Sequence, residues 1–165
     1  MVYREEIKLQ SNDKAVTFHD VTDQVKEIAA RSGIRDGIVV VYSHHTTCSV
    51  ITQECAFDMS MTGLETLQQD LVDVFEKVVP TCSREGIYLH PGPKALAFAA
   101  SVGEDARGCH NTDAHLISSI IGRNVTIVLM DGEMDLGEFG HIHFIDWDKT
   151  RGRARTVQVM VMGDQ

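Results

Sequence analysis

The chain of 165 residues has no apolar run approaching the ~18–20 residues that a membrane-spanning helix requires. Its first residues, MVYREEIKLQ, alternate charged and apolar side chains and lack the continuous apolar stretch of a secretory signal. A soluble, cytoplasmic protein without a membrane partner is therefore expected. Basic residues are in deficit, with 15 Lys and Arg against 24 Asp and Glu and a formal charge of −9. That balance opposes attraction to a polyphosphate backbone, so no nucleic-acid partner is expected, although a small anion can still bind in a local basic pocket. The cysteines, Cys48, Cys55, Cys82 and Cys109, form no C-x-x-C pair. Neither a zinc knuckle nor a disulfide framework is indicated, and reduced thiols are the simpler reading. Repeats, low-complexity tracts and long linkers are also missing. One domain over residues 1–165 is expected, of a size that buries roughly 70% of its unfolded-chain surface.

What is present is a patterned α+β sequence. Tyr3 to Leu9 reads as a strand. Residues 19–33 carry Val21, Val25, Ile28 and Ala29 at helical spacing, with Asp20 or Thr22 as cap and Gly33 as stop. GIVVVYSHHTTCSVIT (37–52) is β-branched on both faces, which predicts one strand buried on both sides or two strands in succession. A longer helix is expected near 60–79, with a stripe including Leu64, Leu67, Leu71 and Phe75, a capping box from Thr62 and Glu65, and Pro80 as its end. Residues 82–110 hold at most a short alanine-rich helix, and TDAHLISSIIG (112–122) reads as another helix. NVTIVLM, GHIHFIDW and RTVQVMVMG then read as strands. The expected architecture is α+β, a largely antiparallel sheet or sandwich with a few packed helices.

Eight histidines stand out. His44 and His45 are adjacent, so on a strand they point to opposite sides and at most one faces a given site. His115 lies at the start of a helix, behind Asn111, Thr112 and Asp113. The partial positive charge there disfavours imidazolium and suits a ring that ligates a cation; the same helix end also welcomes an anion. His141 and His143 share a strand face at i, i+2, a spacing compatible with one zinc ion or with two solvated rings. Arg151, Arg153 and Arg155 share the parity of Val157, Val159 and Val161 if the strand runs unbroken, which places guanidinium groups at the rim of the core. There they are suited to gripping phosphate or carboxylate.

Taken in order, H-T-T-x-S at 45–49, Q-E at 53–54, Y-x-H at 88–90, N-T-D-A-H-L-x-x-S-x-I-G at 111–122, L-G at 136–137 and R-x-R-x-V-x-V at 153–159 resemble the YjbQ family. That family often carries the label secondary thiamine-phosphate synthase, and the resemblance covers essentially the whole chain. It implies an α+β, β-sandwich-like domain that assembles as a homotrimer, with a metal or anion near its histidines. His45, His90 and His115 fall on family positions and become the expected metal ligands. A divalent ion is implied, zinc first, since three imidazoles plus water make a catalytic type of zinc site. The chain departs from the family in having Gln53, Glu54 and Cys55 for N-E-N, and Gly137, Glu138, Phe139 and Gly140 for G-T-W-Q.

Two functions are consistent with these residues. The first is a metal-binding enzyme acting on a small phosphorylated metabolite, by hydrolysis or by a thiamine-phosphate-synthase type of transfer as a secondary activity. In it Asp113 and Glu54 are the candidate catalytic carboxylates, and Asn111, Thr46, Arg153 and Arg155 the candidate substrate-binding residues. The second is a non-catalytic homotrimer whose histidines hold a structural metal or an anion.

Overall fold

The computed structural model describes residues 1–83 and 86–164. Along the chain lie β1 (Val2–Gln10), β2 (Thr17–Asp20), α1 (Thr22–Ser32), β3 (Asp36–Tyr42), β4 (Cys48–Glu54) and α2 (Thr66–Val78). They are followed by α3 (Pro93–Ser101), a 3-10 turn (Ala106–Cys109), α4 (Thr112–Ile121), β5 (Asn124–Met130), β6 (Glu133–Met134), β7 (Gly140–Asp146) and β8 (Ala154–Asp164). The strands form two sheets, ordered β1-β8-β3-β5-β6 and β2-β7-β4, and every pairing is antiparallel. This is the α+β, antiparallel architecture that the pattern predicts, and of its two forms, one sheet or a sandwich, the chain adopts the one with two sheets. Among the described residues, no helix is long and apolar enough to cross a membrane.

The β-branched stretch 37–52 resolves into two strands in different sheets. β3 buries Val39 and Val41, then residues 43–47 cross over, and β4 buries Cys48 and Val50 against the same core. That core lies between the sheets and includes Val157, Val159 and Val161 of β8 and Ile142 and Phe144 of β7; α1 closes it with Val25, Ile28 and Ala29. The cap position of α1 is Val21 rather than Asp20 or Thr22, although Asp20, one residue earlier, accepts the Thr22 backbone N–H at 2.9 Å; Gly33 ends the helix in the left-handed conformation, φ 68°, that a residue without Cβ adopts freely.

A second core lies outside the smaller sheet, where Ile145 and Trp147 meet Ala114 and Ile117 of α4 and, less buried, Phe75 of α2. The helix expected over 60–79 starts later than its apolar stripe suggests. Its capping box is Glu65 with Gln68, not Thr62 with Glu65, because Thr62 lies in a turn whose hydroxyl bonds Gln69. Pro80 does follow its end, as expected.

Candidate functional site

The crossover 43–47, the start of α4, the loop before β8 and the α3 region enclose a cavity of about 430 Å³. His44, His45, His90 and His115 all line it, with Arg151, Arg153 and Arg155 and the buried Asn111 and Asp148. Alternation does not separate His44 from His45, because β3 ends at Tyr42 and neither residue is on a strand. Their rings lie 4.2 Å apart, centroid to centroid, on the same cavity. That corrects the expectation that only one of the pair faces any given site.

His90 and His115 present the same arrangement from different elements. His90 Nδ1 lies 2.8 Å from Thr112 Oγ1, and the Thr112 hydroxyl donates to the His90 carbonyl at 2.7 Å. With its hydrogen committed there, the hydroxyl accepts, so Nδ1 of His90 carries the donated hydrogen. His115 Nδ1 donates to the Thr46 carbonyl at 3.2 Å. In both rings Nε2 is left without a hydrogen-bond partner among the described residues. A local acceptor on one ring nitrogen is what orients metal-ligating histidines and makes the other nitrogen available. The two centroids are 5.6 Å apart. Two imidazoles on one ion through 2.0–2.1 Å bonds have centroids about 5–6 Å apart, a range that includes the separation of this pair. Burial lowers the pKa of His115, which favours its neutral, ligating form.

His45 is held differently. Its Nε2 accepts the Thr156 backbone N–H at 3.0 Å, and its Nδ1 stands 3.5 Å from Arg155 Nη1. Burial, then the Arg155 cation, lowers its pKa. Its ligating lone pair is therefore occupied by β8. Among the described residues, no three His, Cys, Asp or Glu side chains converge as a ready-made metal site.

The arginines divide by partner. Arg155, the first inward residue of β8, is 5% exposed and donates through Nε to Asp146 at 2.6 Å and through Nη2 to Thr47 at 3.1 Å. Burial, the largest influence, opposes its charge, but the Asp146 hydrogen bond together with the attraction of neighbouring acidic groups, Asp146 and Asp148 among them, outweighs it and the pKa is raised. Asn111 stands at the cap position of α4 without a side-chain bond to the helix, and its amide Nδ2 donates to Asp148 at 3.0 Å. Arg153 forms no salt bridge among the described residues, and its Nε is buried without a partner.

Of the residues singled out from sequence, His45, His90, His115, Thr46, Asn111, Arg153 and Arg155 therefore share one cavity. Asp113 does not. Its carboxylate lines a neighbouring cavity of about 510 Å³, accepts the Cys82 backbone N–H at 3.1 Å and lies 3.7 Å from Lys149. Burial raises its pKa. Glu54 is exposed at the far end of β4, paired in register with Gly140. His141 and His143 stack with centroids 6.3 Å apart, away from the cavity; His141 lies 2.5 Å from Asp20. Asp148 and His44 were not predicted. Asp148 carries no periodicity signal; for His44, strand parity applied to a loop allowed only one of the pair to face the site, and the family resemblance favoured His45.

Two facing antiparallel sheets with a histidine- and arginine-lined cavity at their crossover define the class of protein. The UPF0047 protein YjbQ-like family matches residues 5–164, and the chain belongs to it. A UPF0047 protein of Methanothermobacter thermautotrophicus is 29% identical over 96% of this chain and 92% of that one. Another from Archaeoglobus fulgidus is 29% identical over 89% and 94%. A YbjQ-like protein of unknown function from Sulfolobus solfataricus P2 superposes with a TM-score of 0.75 at 22% identity, covering 99% of both chains. A yjbq/upf0047 family protein from Clostridium acetobutylicum gives 0.70 at 28% identity, covering 96% of this chain and 99% of that one.

Proposed function

We propose that the cavity is the site of a metal-dependent enzyme acting on a small phosphorylated metabolite. The observation that carries this reading is the paired histidine arrangement: His90 and His115 each commit Nδ1 to a local oxygen and leave Nε2 unpartnered. These two would hold a divalent ion, zinc first. His45 joins as a third ligand only by giving up its bond from Thr156. When bound, such an ion supplies Lewis-acid stabilisation of phosphoryl oxygens or an activated water.

The remaining roles follow from the chain's own groups. Arg153, without a carboxylate partner among the described residues, binds an anionic oxygen. Arg155, already neutralised by Asp146, holds Thr47 and the crossover in place. Asp148 fixes the Asn111 amide on the cavity wall. Asp113 and Glu54 lie outside this cavity within the subunit, which weakens the reading of either as its general base.

A structural metal in a non-catalytic trimer would need four protein ligands. Of the three histidines expected as ligands, only His90 and His115 keep an unpartnered Nε2 among the described residues, so a site with open coordination is the better supported reading. Self-association as a homotrimer belongs to the same proposal; it would cover Leu116 and Ile120, which are exposed on α4 beside His115. Thiamine-phosphate formation enters this reading only as a secondary activity, and growth rescue of a synthase-deficient strain at native expression tests it.

The direct test is zinc titration of apoprotein followed by a screen of phosphomonoesters and diphosphates. Near-stoichiometric zinc and zinc-dependent phosphate release support the reading. Absence of binding with zinc, manganese and nickel overturns it.

A further inference from the structure

Arg151 lies in the loop before β8, two residues ahead of Arg153, and it is held by Glu104 at two points. Nη1 is 3.2 Å from Oε1, and Nη2 donates to Oε2 at 3.3 Å. Glu104 follows α3 directly, in the segment that covers the cavity. The guanidinium rests on Gly108, where an added Cβ would stand 3.1 Å from Cζ, so the bare backbone of the 3-10 turn makes room for it. Glu104, Gly108 and Arg151 line the same cavity as His90 and His115. The Nε atoms of both Arg151 and Arg153 are buried with no acceptor among the described residues. Two such donors, two residues apart, call for a ligand with several acceptor oxygens.

The pair is built to exchange. Its side chains are 31% and 41% exposed, and solvent-screened ion pairs of this kind contribute little. A phosphate makes the same two-point contact with guanidinium and carries more charge than a carboxylate. What the pair restrains is also lightly held: the principal neighbour of α3 is the 3-10 turn rather than either sheet. Ala95, Phe98 and Ala99 of α3 form the apolar side of the cavity.

We propose that Glu104 is a built-in competitor, its carboxylate occupying on Arg151 the donors that a bound anionic group takes, so that anion binding releases α3 and opens the cover of the cavity. The proposal rests on the reading of the cavity as a site for a phosphorylated ligand and adds Arg151 to Arg153 as a second anion-binding arginine. Glu104 repels the anion as well as blocking its partner, so removing its charge acts in one direction.

The test uses inorganic phosphate and pyrophosphate, titrated calorimetrically into the intact chain and its Glu104→Gln and Arg151→Gln variants, with hydrogen exchange followed over residues 93–101. Glu104→Gln is expected to bind about threefold tighter or more, and Arg151→Gln more weakly than the parent. Exchange over 93–101 should rise in both variants without anion, and in the parent once anion is saturating. Parent-like or weaker affinity in Glu104→Gln, while the parent binds, overturns the competition and leaves the anion site standing. Saturating anion that leaves 93–101 unchanged overturns the release of α3. Failure of all three proteins to bind either anion overturns both the competition and the anion site.

Discussion

The backbone N–H of Thr156 donates to Nε2 of His45 at 3.0 Å, so a side chain of the crossover is fastened to the first turn-in of β8. One hydrogen bond thus joins the loop that carries the histidines to the strand that carries Arg155. It also distinguishes His45 from His90 and His115, whose Nε2 atoms have no such partner among the described residues.

That difference predicts an order of effects on metal binding. His90→Ala and His115→Ala should each weaken zinc by at least about 10-fold, the scale at which even indirect partners of metal ligands act. His45→Ala should weaken it less while lowering the melting temperature, because it detaches the crossover from β8. Zinc competition titrations and thermal melts on the three variants provide the check. Equal losses of zinc would place His45 among the ligands.

The hydroxyl of Thr112 both orients His90 and holds its carbonyl. Thr112→Val keeps the shape and removes the acceptor. Zinc affinity is expected to fall about 10–100-fold, whereas Thr112→Ser should retain most of it. Unchanged zinc affinity in Thr112→Val would show that the His90 tautomer is set by something else.

Asp146 and Arg155 are 0% and 5% exposed at the side chain, with N and O 2.6 Å apart. Removing the carboxylate strands a buried cation, and Asp146→Ala should cost about 3–5 kcal/mol in urea unfolding. Asp146→Leu combined with Arg155→Met removes both charges and should recover most of that loss. A double variant no more stable than the single one would contradict the ion-pair account.

His143 is fully buried, with neither ring nitrogen partnered among the described residues, and Asp20, Glu65 and His141 are the titratable groups around it. Burial lowers its pKa in the folded state. The unfolded chain then binds the extra proton first, so stability rises with pH and is lost as pH falls below the unfolded value of about 6.5. His45 and His115 shift in the same direction and add to the slope. His143→Leu should be at least as stable near pH 7.5 and show a shallower loss toward pH 5, followed by chemical denaturation at each pH. An unchanged slope would assign the acid sensitivity to the other histidines.

Much of the fold was legible because burial imposes periodicity. Val39 and Val41, and Val157, Val159 and Val161, show the two-residue repeat of strands with one face inward, and Val25, Ile28 and Ala29 the helical repeat of α1. The short strands β2 and β6 were not legible, since four and two residues give too little pattern and their pairing is decided by β7 and β5. The capping box of α2 was misplaced because several Ser, Thr and Glu spacings fit before a helix, and only the turn at 60–63 selects among them.

The same division holds at the site. The sequence by itself determined the chemical inventory: imidazoles and guanidinium groups in an acidic chain, in an order that resembles one family. Local rules also placed Asn111 at the head of α4 and Arg155 on the inward face of β8. Which groups meet was decided only by tertiary structure. The crossover between sheets turns both His44 and His45 to one cavity, the start of α4 brings the His115 ring to 5.6 Å from that of His90, and Asp113 faces a different cavity. The physical reason is that hydrophobic periodicity is a property of neighbours along the chain, whereas a loop's course is set by backbone hydrogen bonds and ion pairs that reach across it. The bond from Thr156 to His45 spans 111 residues and leaves no trace in the sequence around either.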